Sequence, residues 1–175
     1  YIGMDHFAKP DDELTLAQRS KTLRRNFQGY STKAGSDLYG LGMSSISHFG
    51  SCYAQNAKTL PEYYHAISNK QLATHVGYKM TQDDGLRKHV IMALMCNLSL
   101  DKREVERQFE IDFDEYFSNS LSRLALLAED GLLTVTPDTL VVTGEGRLFL
   151  RNIAMCFDAY LSKKENEQPM YSKTV

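Results

Sequence analysis

The second half of the chain has apolar residues at helical spacing. They recur every three or four residues over 81–97, 101–109 and 114–129, which places them on one face of each segment and predicts three helices. Leu, Val and Thr then line both sides of a Pro-Asp turn, which predicts a β-hairpin over 132–143. A last helix is predicted over 144–163. This order of elements indicates an α-rich unit with one hairpin.

Three helices, a hairpin and a closing helix predict a winged-helix-like domain over residues 76–165, followed by a polar tail at 166–175 that we expect to be mobile. In a DNA-binding domain of this kind, one helix enters the major groove. Here it would be the helix over 114–129, in which Arg123 is the one basic residue and acidic residues outnumber it. Binding to DNA requires several phosphates to be neutralised, so we expect no nucleic-acid partner. A non-enzymatic winged-helix interaction module remains an alternative interpretation.

The first half of the chain has shorter and less periodic elements. Residues 1–8 are rich in Ile, Met and Phe and predict a buried strand of a parallel barrel with its exit loop. A helix is predicted over 10–25, a short strand over 37–42 and a loop over 43–50. A threonine followed three residues later by a glutamate predicts a capped helix over 59–68. Both halves together predict an α+β fold.

The composition excludes several classes of protein. The chain has 175 residues, of which 42% are hydrophobic and 24% charged, as in ordinary globular proteins. A formal net charge of −2 gives no electrostatic reason to bind nucleic acid or an anionic membrane. No apolar run approaches the roughly 20 residues that a membrane-spanning helix needs. We therefore expect neither a nucleic-acid nor a membrane partner.

The cysteines are few and scattered. Cys52, Cys96 and Cys156 are far apart in sequence, which indicates reduced thiols in a cytoplasmic protein and no disulfide framework. No two of them are close enough to share an iron–sulfur cluster, and the histidines show no zinc-ligand spacing. Because the chain starts at Tyr1 inside a predicted strand, we interpret it as the C-terminal fragment of a longer protein.

Residues 26–47 are rich in glycine and serine and have no helical period. Gly40 and Gly42 flank Leu41, so the backbone there can turn sharply or lie against a group that a Cβ would displace. Neither a dinucleotide fingerprint nor a phosphate-binding loop is complete, and the serines are not in a hydrolase elbow. Local motifs alone therefore assign no chemistry to this stretch.

Several separated blocks carry a family resemblance. In their order and residues they resemble the later part of the oxygen-independent coproporphyrinogen III oxidases, which are radical S-adenosylmethionine enzymes of haem biosynthesis. Agreement of several blocks in the right order is more specific than any one of them. The blocks are residues 1–8, 26–30, 40–47, 53–56, 130–132 and 151–158.

The resemblance implies a fold and a reaction. Residues 1–75 would be the last strand and helix elements of a partial (β/α) barrel, and the winged-helix-like domain would cover it. The parent would use S-adenosylmethionine and a [4Fe–4S] cluster to convert coproporphyrinogen III to protoporphyrinogen IX by oxidative decarboxylation. The family holds its cluster with a Cys-x-x-x-Cys-x-x-Cys run that this chain lacks. The fragment alone would be inactive, and its parent would be a monomer served by a reductant protein.

The resemblance assigns one residue to the cofactor. Ile46 would contact the adenine of S-adenosylmethionine through its side chain, with neighbouring backbone groups at the adenine edge; the alternative is that Ile46 is an ordinary core residue. A related radical protein that handles haem without oxidising coproporphyrinogen also remains open. Five further residues have undecided roles, either at the substrate or in ordinary packing and solvation: Asp5, His6, Arg24, Arg25 and His48.

Overall fold

The computed structural model describes residues 1–33 and 35–161 as an α+β fold. All strand pairs in this described part are antiparallel, whereas the resemblance predicts elements of a parallel barrel. In the first half the elements are α1 (Glu13–Arg19), β1 (Arg24–Asn26), β2 (Gly29–Ser31), β3 (Ile46–Phe49), β4 (Cys52–Asn56), α2 (Leu60–Ser68) and β5 (Thr74–Lys79).

The second half contains the main core. The order β6-β8-β7 forms a small antiparallel sheet against which the helices pack. Its elements are α3 (Gln82–Asn97), β6 (Ser99–Asp101), α4 (Lys102–Phe109), α5 (Phe113–Tyr116), α6 (Ser118–Glu129), β7 (Leu133–Val135), β8 (Thr139–Val142), a 3-10 helix (Gly146–Phe149) and α7 (Leu150–Met155).

Three phenylalanines lie at the centre of that core. Phe113, Phe117 and Phe157 are fully buried. The ring of Phe117 lies 4.8 Å from Phe113 and 5.3 Å from Phe157, in the tilted and edge-on arrangements that aromatic pairs prefer. Apolar residues of α3, β8 and α7 surround them. The helical spacing in the sequence therefore identified most buried residues of this half, but Leu148, predicted to face inward on the last helix, is 76% exposed.

The predicted helices of the second half differ in detail from the observed ones. The helix predicted over 114–129 is divided at Phe117, where a ψ of 21° departs from helical geometry, although apolar residues keep the same spacing on both sides. The helix predicted over 144–163 begins as a 3-10 turn and α7 ends at Met155; the predicted end and the predicted mobile tail at 166–175 lie outside the described residues. The sequence pattern did not predict β6.

The first half departs further from its predictions. Residues 1–8 form a turn closed by an isolated Gly3–His6 bridge instead of a strand, with Met4 at a φ of 54°. The helix predicted to continue to residue 25 ends at Arg19, because Lys21 takes a left-handed φ of 58° and Leu23 is then buried. As a result the two arginines predicted at a helix end lie on β1.

The glycine-rich stretch also has a different structure from the predicted one. The segment predicted as a strand over 37–42 makes only the isolated Leu38–His48 bridge. The segment predicted as a loop over 43–50 contains β3 instead. Pairing with β4 and with Leu38 stabilises this short strand, and such long-range contacts cannot be read from local sequence. The predicted domain boundary after residue 75 falls within β5, which pairs with β4.

A small second core joins the first half to α3. Ile2, Ala17, Leu23 and Tyr30 pack against Cys96 on that helix. The Tyr30 hydroxyl also donates a 3.1 Å hydrogen bond to a main-chain carbonyl of α3. Burial is the main cause that raises the pKa of Tyr30 to about 12, so the hydroxyl remains a donor at neutral pH. These contacts fix the β1–β2 hairpin against α3.

The carboxylate of Asp84 links three parts of the chain at the start of α3. Its side chain and that of Thr81 form a capping box, as their spacing predicts. It also accepts hydrogen bonds from the hydroxyls of Tyr78 on β5, at 2.6 Å, and Tyr160 after α7, at 2.7 Å. These bonds, that of Tyr78 foremost, hold the pKa of Asp84 well below its usual range.

We expect Asp84→Asn to lower the free energy of unfolding at pH 7 by about 1–2 kcal/mol, the usual effect of losing a helix cap. Because the folded-state pKa of Asp84 is depressed, its stabilisation is complete above the unfolded pKa near 4 and is lost as pH falls towards the folded value. Urea denaturation at pH 7 and pH 3 measures this. The difference from wild type should shrink at pH 3, and the exposed Asp11→Asn should change stability little at either pH. A difference that is the same at both pH values would contradict the argument.

Candidate functional site

Gly40 lies directly against the backbone of Ile46. A Cβ added at Gly40 would be 2.9 Å from the carbonyl carbon and oxygen of Ile46 and 3.0 Å from its nitrogen, closer than real Cβ atoms approach. The Gly40 N–H donates to the Ser47 hydroxyl at 3.0 Å. Gly42 turns the chain with a φ of 98°, a conformation that favours glycine. Both expectations for these glycines, close approach and a sharp turn, are confirmed.

Asn56 holds the loop that precedes β3. From the end of β4, its side-chain amide donates to the carbonyl of Gly42 at 3.0 Å and to the hydroxyl of Ser45 at 3.1 Å. The Ser45 hydroxyl donates to the same Gly42 carbonyl at 2.8 Å. The blocks 40–47 and 53–56 therefore form one hydrogen-bonded unit, although sequence reasoning gave Asn56 no role.

Ile46 is the first residue of β3, an outer strand of the sheet β3-β4-β5. Its side chain is half-buried and it stands opposite Gln55 of β4. His48, two residues on, exchanges two 2.8 Å backbone hydrogen bonds with Leu38 on the outer side of β3. Because backbone groups alternate along a strand, those of Ile46 face the same outer side. The half-buried side chain of Ile46 thus stands beside backbone groups that face Gly40 on the outer side of β3.

A second feature of the same region is a cavity of about 660 Å³ between the β1–β2 hairpin, β3–β4 and α3. We call it the cationic cleft. Two aromatic rings in its wall, Phe27 and Tyr53, meet edge to face at 5.5 Å. The charged side chains that line it are Arg24, Arg25, Lys33, Lys88 and Asp37.

The His48 side chain lines this cleft and is paired with Lys88. The Lys88 ammonium donates to Nε2 of His48 at 2.9 Å, and the imidazole stacks on Tyr53 with ring centres 4.5 Å apart. Burial, and then the positive charge of Lys88, lower the pKa of His48 below its ordinary value. The imidazole is therefore neutral at pH 7 and accepts a hydrogen bond from the Lys88 ammonium group. The side chain is one wall of a cavity, not a core residue.

Arg24 and Arg25 also line the cleft, because they lie on β1 and not at the end of a helix. Arg24 is exposed. Arg25 is half-buried, with its guanidinium carbon 5.7 Å from the centre of the Tyr30 ring. Its buried Nε has no hydrogen-bond partner within the part of the chain that the structure describes. The two arginines are therefore not at a helix end, although Arg24 is solvated.

Asp5 and His6 lie apart from the cleft lining and contact the β1–β2 turn. Nδ1 of His6 is 2.9 Å from a carboxylate oxygen of Asp5, and the imidazole packs edge-on against Tyr30. A Cβ at Gly29 would lie 2.6 Å from Nε2 of His6, so this glycine is required by the close approach of the ring. The structure thus brings the first and second sequence blocks together but gives neither Asp5 nor His6 a site.

The cysteines of the described residues do not suit an iron–sulfur cluster. Burial raises the pKa of Cys96 to about 11 and also raises that of Cys156, whereas cluster ligation requires thiolates. Among residues 1–33 and 35–161, no three His, Cys, Asp or Glu side chains converge as a metal site. Within the same residues no helix has both the length and the apolar character of a membrane span.

Comparison with known proteins identifies the second half of the chain. The family model of the HemN C-terminal domain matches residues 80–149, which run from the start of α3 to the 3-10 helix. Residues 80–149 are therefore similar to the HemN C-terminal domain. The match begins one residue after β5, whereas the predicted boundaries of 76 and 165 for this domain remain predictions.

The relatives of this chain extend the match beyond the HemN C-terminal domain. The oxygen-independent coproporphyrinogen III oxidase of Escherichia coli is 49% identical over 168 residues, which are 96% of this chain and 37% of that protein. The enzyme of Synechocystis is 48% identical over 179 residues, covering all of this chain and 38% of that protein. The enzyme of Thermostichus vulcanus is 49% identical, again over all of this chain and 54% of that protein.

A solved structure agrees with the sequence comparison. Coproporphyrinogen III oxidase (HemN) from Escherichia coli, a radical SAM enzyme, superposes with a TM-score of 0.88 at 50% identity, over 91% of this chain and 37% of that one. The α+β fold and the resemblance predicted from the sequence blocks are confirmed. The chain spans between 37% and 54% of the length of these relatives.

Sequence reasoning missed Lys33, Lys88, Tyr53 and Asn56 as members of this region. Lys88 lies among the polar positions of a long helix and carries no distinguishing signal. Lys33 follows a short strand. Tyr53 and Asn56 belong to a block that carried the resemblance, which was the available indication of their importance. Only the fold places Lys88 next to His48.

Proposed function

We propose that this chain is the C-terminal part of an oxygen-independent coproporphyrinogen III oxidase. The whole enzyme would decarboxylate two propionate side chains of coproporphyrinogen III oxidatively and yield protoporphyrinogen IX. The observation that carries the proposal is the TM-score of 0.88 at 50% identity to the Escherichia coli radical SAM enzyme over 91% of the chain. The non-enzymatic interaction module loses its support, because relatives that match nearly the whole chain are enzymes.

The proposed contribution of the first half is one edge of the cofactor pocket. Ile46 would contact the adenine of S-adenosylmethionine, and neighbouring backbone groups would hydrogen-bond its edge. Gly40 lies directly against the Ile46 backbone, where a Cβ would clash, and so sets the position of that backbone. S-adenosylmethionine, reduced by a [4Fe–4S] cluster held by cysteines outside this chain, would supply the radical chemistry. The protein's own part is to position the cofactor and to exclude water.

We propose that the second half of the chain covers the partial barrel. The order of elements from α3 to β8 supports a winged-helix-like domain over 76–165, in which β7 and β8 would be the wing and α3, α4 and α6 the helices. We infer that this domain packs on the partial barrel whose last elements are residues 1–75. We further propose that the parent is a monomeric cytoplasmic protein. A reductant protein would supply the electrons for its cluster. The unpaired state of Cys52, Cys96 and Cys156 supports the reducing compartment.

The proposal is tested by anaerobic assay of two proteins. One carries this chain behind an N-terminal part with the Cys-x-x-x-Cys-x-x-Cys run, and the other is the 175-residue chain alone. We expect the first to form protoporphyrinogen IX and 5′-deoxyadenosine with reductant present, and the second to form neither. Chromatography of both products measures this. Absence of protoporphyrinogen IX from the cluster-loaded longer protein, or deoxyadenosine from the chain alone, would contradict the proposal.

A further inference from the structure

We propose that the cationic cleft binds propionate carboxylates of a tetrapyrrole, with Arg25 and Lys88 as its two principal donors. The cleft, about 660 Å³ in volume, is within the size range of ligand sites. The inference deepens the proposed function and rests on it for the identity of the tetrapyrrole. Coproporphyrinogen III has four propionate groups on an apolar ring system, so its binding site must supply both cations and apolar surface.

The charges that line the cleft are unbalanced. Its cations are Arg24, Arg25, Lys33 and Lys88, and Asp37 is its one acidic residue. Within the described residues none of the four cations lies within 4.0 Å of a carboxylate. Asp37 instead accepts a hydrogen bond from the Gly50 N–H at 3.2 Å. The four cations thus leave a positive field available to a ligand.

Three cations outside the cleft are paired with carboxylates. Arg87, Lys102 and Arg103 each form an ion pair with a carboxylate at 2.7–2.9 Å. Lys102 is 2% exposed and is compensated by Asp114, as a buried charge requires. Most other basic residues of the described part also form no ion pair, so what distinguishes the cleft is that four cations line one cavity that holds a single carboxylate.

Arg25 provides the strongest single observation. Its Nε is buried and lacks a hydrogen-bond partner among the described residues, which leaves a charged donor both desolvated and unsatisfied. The ring of Tyr30 lies beneath the guanidinium, and Tyr30 is itself fixed to α3 by a hydrogen bond. A carboxylate in the cleft would accept from Arg25 and remove the penalty, and the planar guanidinium suits two parallel bonds to it.

Lys88 is held in a position to bind a second carboxylate. Its ammonium group donates one hydrogen bond to the neutral His48, and its nitrogen lies 5.0 Å from the centre of the Tyr53 ring. An ammonium group has three protons, so two remain for a ligand. His48 and Tyr53 therefore act as positioning residues for Lys88, a role that fits the lowered pKa of the imidazole.

The wall between these donors is suited to a pyrrole ring. Phe27 is 58% exposed, and it lines the cleft together with Tyr53 and Met92. Apolar surface of this kind gains free energy when a ligand ring covers it. The arrangement of an apolar wall between two fixed cations distinguishes the cleft from a patch of solvated lysines and arginines.

Porphyrin binding to the protein that carries this chain tests the inference. The probe is coproporphyrin III, the stable oxidised tetracarboxylate, followed by fluorescence titration under reducing conditions. We expect Arg25→Gln and Lys88→Gln each to raise Kd about tenfold, the effect of losing one charge-assisted hydrogen bond. The matched control is Lys58→Gln, an exposed cation outside the cleft, which should leave Kd within twofold of wild type.

Two further measurements keep the test decisive. Mesoporphyrin IX, which has two propionates, should bind more weakly than coproporphyrin III to the wild-type protein. Circular dichroism of each variant checks folding, and Lys88→Gln, on the accessible side of α3, tests the cleft even if Arg25→Gln unfolds. A Kd for Lys88→Gln within twofold of wild type, or equal weakening by Lys58→Gln, overturns the inference.

Activity separates this inference from the proposed function. If the cluster-loaded protein makes protoporphyrinogen IX and the cleft variants keep the wild-type KM, the function holds and the cleft assignment is wrong. If no protoporphyrinogen forms but the variants still weaken porphyrin binding, the cleft holds and the proposed oxidation is wrong. When both hold, the variants raise KM about tenfold and change kcat less.

Discussion

Gly146→Ala is expected to lower the free energy of unfolding by about 3 kcal/mol, at the upper end of the range for overpacking. An added Cβ would lie only 1.7 Å from the carbonyl oxygen of Leu132 and 2.7 Å from its carbonyl carbon. That carbonyl cannot move freely, because it also accepts hydrogen bonds from the backbone and hydroxyl of Thr143. The substitution must therefore separate the 3-10 helix from β7 and β8. Urea denaturation followed by circular dichroism measures the change.

Gly144→Ala is the matched control for this prediction. Gly144 lies in the same connection, two residues away, and a Cβ there would meet no atom within 4 Å. We expect its effect to stay within about 0.5 kcal/mol, as for surface substitutions generally. Equal destabilisation by both variants would show that the connection needs glycine for its flexibility, and that the contact with Leu132 is not the cause.

The second half of the fold could be predicted because its elements are long or strongly capped. Apolar spacing identified α3, α4 and the buried face of α6, and the capping residues Thr81 and Asp101 fixed two helix starts. Tertiary packing decides what the pattern could not. The division at Phe117 leaves the apolar spacing unchanged, and β6 is a three-residue strand that exists only because β8 pairs with it.

The first half could not be predicted to the same extent, because local sequence does not determine it. Met4, Lys21 and Ser44 take left-handed φ values, which the conformational preferences of these residue types do not predict. Its strands have three to six residues, too few to show a period, and their pairing partners come from elsewhere in the chain. The predictions of a parallel strand over 1–8 and a helix to residue 25 were wrong for this reason.

The candidate site, too, could be predicted from the sequence only in part. The resemblance singled out Ile46, and the glycine pattern correctly predicted a close approach, which the structure places between Gly40 and Ile46. The cationic cleft needed the fold, since Arg25 on β1 and Lys88 on α3 come together only through the small core around Tyr30. Charge in a sequence can be counted, but which charges lack a partner is a property of packing.

Gly40→Ala is expected to weaken use of S-adenosylmethionine strongly in the protein that carries this chain. The new Cβ would be forced to 2.9 Å from the carbonyl of Ile46, so β3 must shift by several tenths of an ångström at the proposed adenine contact. A misplacement of about 1 Å can reduce the rate by about 100-fold, so we expect this smaller shift to reduce it by roughly tenfold. Initial rates of 5′-deoxyadenosine formation at varied S-adenosylmethionine concentration measure KM and kcat together.

The control for Gly40→Ala is Gly77→Ala, on β5 of the same sheet. A Cβ at Gly77 would meet only the carbonyl oxygen of Tyr53, at an ordinary contact distance of 3.7 Å, and should leave the KM for S-adenosylmethionine unchanged. Unfolding curves of both variants are compared first, because a clash at Gly40 also destabilises the sheet locally. If Gly40→Ala is folded and binds S-adenosylmethionine as wild type does, β3 is not the adenine site. Ile46 is then the ordinary packing residue of the alternative interpretation.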